Sequence, residues 1–114
     1  MDEKIKELED LIDGQRNHLD KCVSENTEEQ NERHAYIILG VMSYVNGMER
    51  ALSIAKGQIP QTIEEAIEER QLKMEKDKED HPKYYEMICN PHRVVVYHDN
   101  QYISGLKKAK TILV

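Results

Sequence analysis

The residues whose chemistry draws attention first lie in the last third of the chain. His92, Arg93, Lys107, Lys108 and Lys110 share this stretch with Tyr84, Tyr85, Tyr97 and Tyr102. An arginine fork pairs with phosphate oxygens, and a tyrosine face stacks on a base. Asn90 and Asn100 carry amides that suit base edges. His92, Arg93, Tyr97, Tyr102, Lys107 and Asn90 are therefore the candidate ligand-binding set, and the ligand they suit is a small anion such as a nucleotide signal. The plainer account is a tyrosine-rich strand face with lysines near a chain end, since aromatic residues favour strands without any ligand.

Cys89-x2-His92, flanked by His81 and His98, offers soft and borderline metal ligands. Zinc takes four ligands in a tetrahedron, and this spacing is not one of its strong signatures. The chain is expected to hold no metal and no cofactor. Neither G-x-S-x-G, nor G-x-x-x-x-G-K-[ST], nor G-x-G-x-x-G occurs. Without a visible set of nucleophile, base and pocket residues, catalysis is not expected.

Charge is divided unevenly. The net formal charge of −6 arises from a net −9 over residues 1–80 and +3 over residues 81–114. The basic end is where an anion would bind, and the acidic part suits a basic protein surface. Long nucleic acid is disfavoured, because tracking phosphates needs a stripe of basic groups.

These residues must be positioned by a small scaffold. At 114 residues the chain is expected to be one domain, with a helical part (1–80) and a β part (81–114). It contains neither Trp nor Phe, so the core falls to Ile, Leu, Val, Met and Tyr. A core this modest is often completed by a second subunit. No apolar run approaches the roughly 18 residues that span a bilayer. The N-terminus lacks a secretory pattern, and two cysteines make no disulfide framework, so a cytoplasmic location is the expectation.

Ile5, Leu8, Ile12, Leu19 and Cys22 follow helical spacing and predict a first helix over about 3–23. Thr27-Glu28-Glu29-Gln30 is a capping box that opens a second helix over about 28–56, closed by Gly57 with Pro60 beyond. This second helix carries no charge over residues 35–48. Ile38, Val41, Val45, Met48 and Leu52 form its apolar stripe, and Gly40, Ser43, Gly47 and Ala51 a small-residue stripe. A helical glycine costs about 1 kcal/mol relative to Ala, so two on one side imply close approach of another backbone. Ile38, Val41, Val45, Met48, Leu52, Gly40 and Gly47 are the candidate oligomer interface. Thr62-Ile63-Glu64-Glu65 caps a third, charged helix over about 63–79, with Glu69–Lys73 as a favourable pair.

After Pro82 the pattern reads as strand. The expected elements are Tyr84–Cys89, a turn at Asn90-Pro91, Arg93–His98, a two-residue turn at Asp99-Asn100, and a return strand over Gln101–Ser104. The apolar end Ile112-Leu113-Val114 is expected to be buried. The fold class expected is therefore α+β, mainly α: a long helical hairpin, a third charged helix and a small C-terminal antiparallel sheet. The expected function is that of a small cytosolic binding or regulatory protein of accessory or inhibitor type, bacterial or phage in style. It would act as a homo-oligomer on a protein partner, its acidic face steering the encounter. Sequestration of an anionic ligand at the sheet is the alternative.

Overall fold

The computed structural model describes residues 2–80 and 94–114, without the side chains of residues 36 and 94–97. Among the described residues five helices occur in this order: α1 Asp2–Glu25, α2 Glu28–Arg33, α3 Ala35–Ala55, α4 Ile63–Asp80 and α5 Val94–Leu113. Among the described residues there is no strand.

The expected sheet is thus corrected. Residues 84–89 lie outside the described residues, but from Val94 onward the second and third expected strands and the turn between them form the single helix α5. Its first turn is three valines and a tyrosine, which individually prefer strands. Such preferences amount to only about 1 kcal/mol across the whole strand scale. The periodicity of the rest of α5 is stronger. Asp99, Ile103, Leu106 and Ala109 recur every three or four residues, and all four are buried. A helix buries them together, whereas a strand would turn alternate residues to water.

The helical caps follow the sequence. Thr27 Oγ1 accepts from the Gln30 backbone N–H at 3.1 Å, and the Thr27 N–H donates to Gln30 Oε1 at 2.8 Å. Thr62 and Glu65 repeat the arrangement at 3.0 and 3.1 Å. Gly57 adopts φ +75°, the left-handed conformation that ends a helix without a Cβ penalty. The expected second helix is interrupted at His34 (φ −106°, ψ 16°), which separates α2 from α3. No residue of α2 is buried, so packing does not hold it in line with α3.

Ion pairs give the relative directions. Arg16 pairs with Glu49, and Lys56 with Glu9 at 3.5 Å, so α1 runs antiparallel to α3. Lys110 pairs with Glu64 at 2.6 Å and Arg70 with Asp99 at 2.8 Å, so α4 runs antiparallel to α5. Lys4 Nζ donates to the Val114 carbonyl at 2.5 Å, which puts the end of α5 beside the start of α1. It follows that α3 and α5 run in the same sense.

The α3–α5 crossing is the centre of the fold. A Cβ placed on Gly47 would overlap the Tyr102 carbonyl oxygen and stand 3.1 Å from the Leu106 nitrogen. A Cβ on Gly105 would overlap the Tyr44 carbonyl oxygen and stand 3.1 Å from the Met48 nitrogen. The two glycines therefore open reciprocal gaps through which the backbones approach. Ala51 and Ala109, four residues beyond each glycine, are fully buried and continue the close contact. Around this crossing Leu8, Ile12, Val45, Met48, Ala66 and Leu106 complete the core.

Candidate functional site

The expected ligand-binding set is not assembled into one site among the described residues. Asn90, His92 and Arg93 lie outside them, as do Cys89 and His81 of the metal candidate. Tyr97 belongs to the first turn of α5 and His98 follows it on that helix, half-buried. Tyr102 is already engaged, because the Arg70 guanidinium carbon sits 4.0 Å from its ring centroid. That face is closed to a stacked base. Lys107 is exposed and borders a cleft between α4 and α5, together with Gln71, Met74 and Asn100.

A polar cluster that the sequence did not reveal lies beside this cleft. Asp99 is buried at 5% exposure, held by Arg70 at 2.8 Å and faced by Lys73 at 4.0 Å. Arg70 donates through Nη1 to the carboxylate and stacks on Tyr102. A buried carboxylate requires such compensation. The cluster therefore fastens α4 to α5. Lys73 also reaches Asp77 at 3.8 Å, while Glu69 accepts from Gln61 Nε2 at 2.9 Å, so the expected Glu69–Lys73 pair is replaced by other partners.

The candidate interface residues of α3 divide into two groups. Val45, Met48, Gly40 and Gly47 are buried, and Leu52 packs against the core at partial exposure. The partner backbone that Gly47 accommodates is α5 of the same chain. Ile38 and Val41, by contrast, line a groove between the second half of α1 and the first half of α3. Leu19 and Cys22 supply its α1 wall, whereas Met42 lines a second pocket with Arg16, Asp20 and Val23, and Leu19 and Ile38 border both. Ile37 in the first pocket, Met42 in the second and Leu39 in neither are exposed at 41, 44 and 42%. The charge-free run 35–48 signals this surface in the sequence, although it does not separate the buried residues from the exposed ones.

On the α1 wall His18 and Cys22 stand one turn apart, with Cys22 Sγ 3.7 Å from His18 Nε2. His34 lines the same groove from the α3 side. Among the described residues no three His, Cys, Asp or Glu side chains converge closely enough to hold a metal. No described helix is long and apolar enough to cross a membrane.

Among the described residues, Glu64 and Tyr44 have shifted titrations. The Lys110 ammonium, hydrogen-bonded to Glu64, holds that carboxyl below the usual range, and the Glu64 backbone N–H adds to the effect. Desolvation beside the α3–α5 crossing pushes the Tyr44 hydroxyl up. Neither group sits in the groove. No family model, curated protein or solved structure matches the chain.

Proposed function

We propose that the chain is a small non-catalytic binding protein that pairs with itself through the α1/α3 groove. In that form it acts stoichiometrically on a protein partner, as a cytosolic regulator of accessory or inhibitor type. The observation that carries this reading is the exposure of Ile37, Leu39 and Met42 along an uncharged stretch of α3. Exposed apolar side chains are ordinary when scattered, but these lie on an uncharged run that also lines two apolar pockets where α3 meets α1. A second copy is the occupant favoured by composition, because a chain of 114 residues without Phe or Trp builds only a modest core and gains most from sharing an apolar face with its twin.

The acidic faces remain free for a different partner in such an assembly. Glu68, Glu75, Glu79 and Asp80 are exposed on α4, and this side suits a basic protein surface. The non-catalytic part of the reading is supported by the Arg70–Asp99–Tyr102 cluster, whose groups satisfy one another as a fastening between helices. The anionic-ligand alternative requires a C-terminal sheet, and with α5 in its place no observation favours it.

The test is analytical ultracentrifugation of the wild type and of Ile37→Glu, which lines the groove, at tens of micromolar. A wild-type dimer that Ile37→Glu converts to a folded monomer is the expected result. A monomeric wild type would remove the self-association.

A further inference from the structure

We propose that α4 is a detachable strap: it leaves α5 as one unit, with the Arg70–Asp99 pair as its latch, while the crossing of α3 and α5 stays closed. The proposal goes beyond the reading above and does not depend on self-association. Its first support is burial. Among the described residues, Ala66 is the one buried residue in the 18 of α4. By contrast α5 buries Asp99, Ile103, Leu106 and Ala109, and α3 buries Val45, Met48 and Ala51. Ile63 and Ile67 add partial contact with the core near the start of α4. Beyond Arg70 the packing thins. Leu72 is exposed at 56%, and Met74 and Asp77 are no more than half-buried. A cleft of about 540 Å³ opens there between α4 and α5, walled by Gln71, Met74, Asn100 and Ile103. An element with so little buried apolar surface loses little by parting, and such elements open below the cost of global unfolding.

The second support is the chemistry of the fastening. Arg70 meets Asp99 at 2.8 Å and lies over the Tyr102 ring, and Lys73 faces the same carboxylate at 4.0 Å. When the helices part, the carboxylate and the guanidinium both return to water. The hydration they recover offsets much of the attraction they lose. Apolar contacts have no such return, since their separation exposes surface that water disfavours. The Glu64–Lys110 pair is exposed on both sides and adds little to the hold.

The third support is the pivot. Residues 56–62, which join α3 to α4, are mostly exposed. Within them Gly57 stands at φ +75°, with nothing within 4 Å of the place a Cβ would take. Arg50 of α3 donates to Gln61 Oε1 at 2.9 Å, which fixes the end of this link to the body of the protein. Opening about that point bares Asp99, Tyr102 and Ile103 on α5, while Gly105 keeps α5 against α3.

The experiment is amide hydrogen exchange of the full-length protein under native conditions, read by mass spectrometry. Amides of residues 67–80 are expected to exchange through one shared opening, at least about tenfold faster than those of residues 45–52 and 103–110. Their rate should depend weakly on urea, because the opening exposes little surface. Ile12→Val weakens the core and so destabilises the closed and opened forms alike. It should speed exchange at the crossing and leave α4 unchanged. Arg70→Ala should speed exchange of α4 by about tenfold or more, because it strands Asp99 in the closed form only. Equal protection of α4 and α3 in the wild type would overturn the proposal, since the opening would then be global. Protection that declines steadily from Ile63 to Asp80 would overturn it too, because that is fraying from one end. So would an Ile12→Val protein in which α4 and the crossing accelerate together, or an Arg70→Ala protein whose α4 exchanges at the wild-type rate.

Discussion

Asp99 shows how much a single side chain can determine. Its carboxylate is buried in the α4–α5 interface, and Arg70 supplies its nearest charge at 2.8 Å. Arg70→Ala leaves the carboxylate facing only Lys73 at 4.0 Å, and is expected to cost on the order of 3 kcal/mol of unfolding free energy. Asp99→Ala instead leaves an arginine able to turn toward water, and should cost clearly less. Urea denaturation of the two variants gives the order, and equal losses would contradict it. Arg70→Lys should not restore stability, because an ammonium reproduces neither the fork nor the stacking on Tyr102. Glu64 supplies a pH effect at the same scale. Its folded pKa lies below its unfolded value, so its contribution is complete above the unfolded pKa and is lost as pH falls through the folded one. Lys110→Met should lower the acid-side slope of the stability profile only slightly, because the pair is exposed and screened by solvent, as thermal melts between about pH 3 and 6 would read. None of this cluster is legible in the sequence. Asp99 has a sufficient local explanation as a turn residue, and Arg70 lies 29 positions away along the chain.

At the scale of the element, the glycines separate backbone approach from mere helix breaking. Gly47→Ala and Gly105→Ala each place a methyl group against a carbonyl oxygen of the opposing helix. Backbone cannot step aside as a side chain can, so each should destabilise by about 3 kcal/mol, the upper end of overpacking penalties. Gly14 has nothing within 4 Å of the same position on exposed α1. Gly14→Ala should therefore stabilise by about 0.5–1 kcal/mol. Chemical denaturation of the three variants checks this, and a tolerated Gly47→Ala would contradict the crossing described. The sequence announces half of this contact. The stripe Gly40-Ser43-Gly47-Ala51 predicts a close backbone, and α3 indeed meets one. Its counterpart, Gly105-x3-Ala109, is hidden as long as Gly105 reads as the end of a strand. The valines of Val94–Val96 favour that reading locally, while the repeat of Asp99, Ile103, Leu106 and Ala109 favours a helix over a longer span. Burial of four side chains outweighs the preference of a few residues. By contrast, α1, α4, both capping boxes and the Gly57 cap are legible, because each is encoded by near neighbours.

The whole molecule is flat, with extents of 44 × 39 × 19 Å. Its radius of gyration of 15.6 Å exceeds the ~13 Å expected for a chain of about this length. A slab has more surface for its volume than a sphere, and a chain without Phe or Trp has little apolar bulk to thicken it. These facts connect composition to the proposed behaviour: the core closes around the α3–α5 crossing, and the α1/α3 face is left apolar. Of the residues expected at an interface, Ile38 and Val41 line that face, while Val45 and Met48 are used in the core of the chain itself. Composition cannot tell those uses apart, because both require uncharged residues on the same helix.

The most direct test of self-association is therefore the mass of the protein in solution. Sedimentation equilibrium at 5 to 50 micromolar should give a dimer for the wild type and a folded monomer for Ile37→Glu, which lines the groove. A wild type that remains a monomer of 13.4 kDa throughout that range would contradict pairing through the apolar groove.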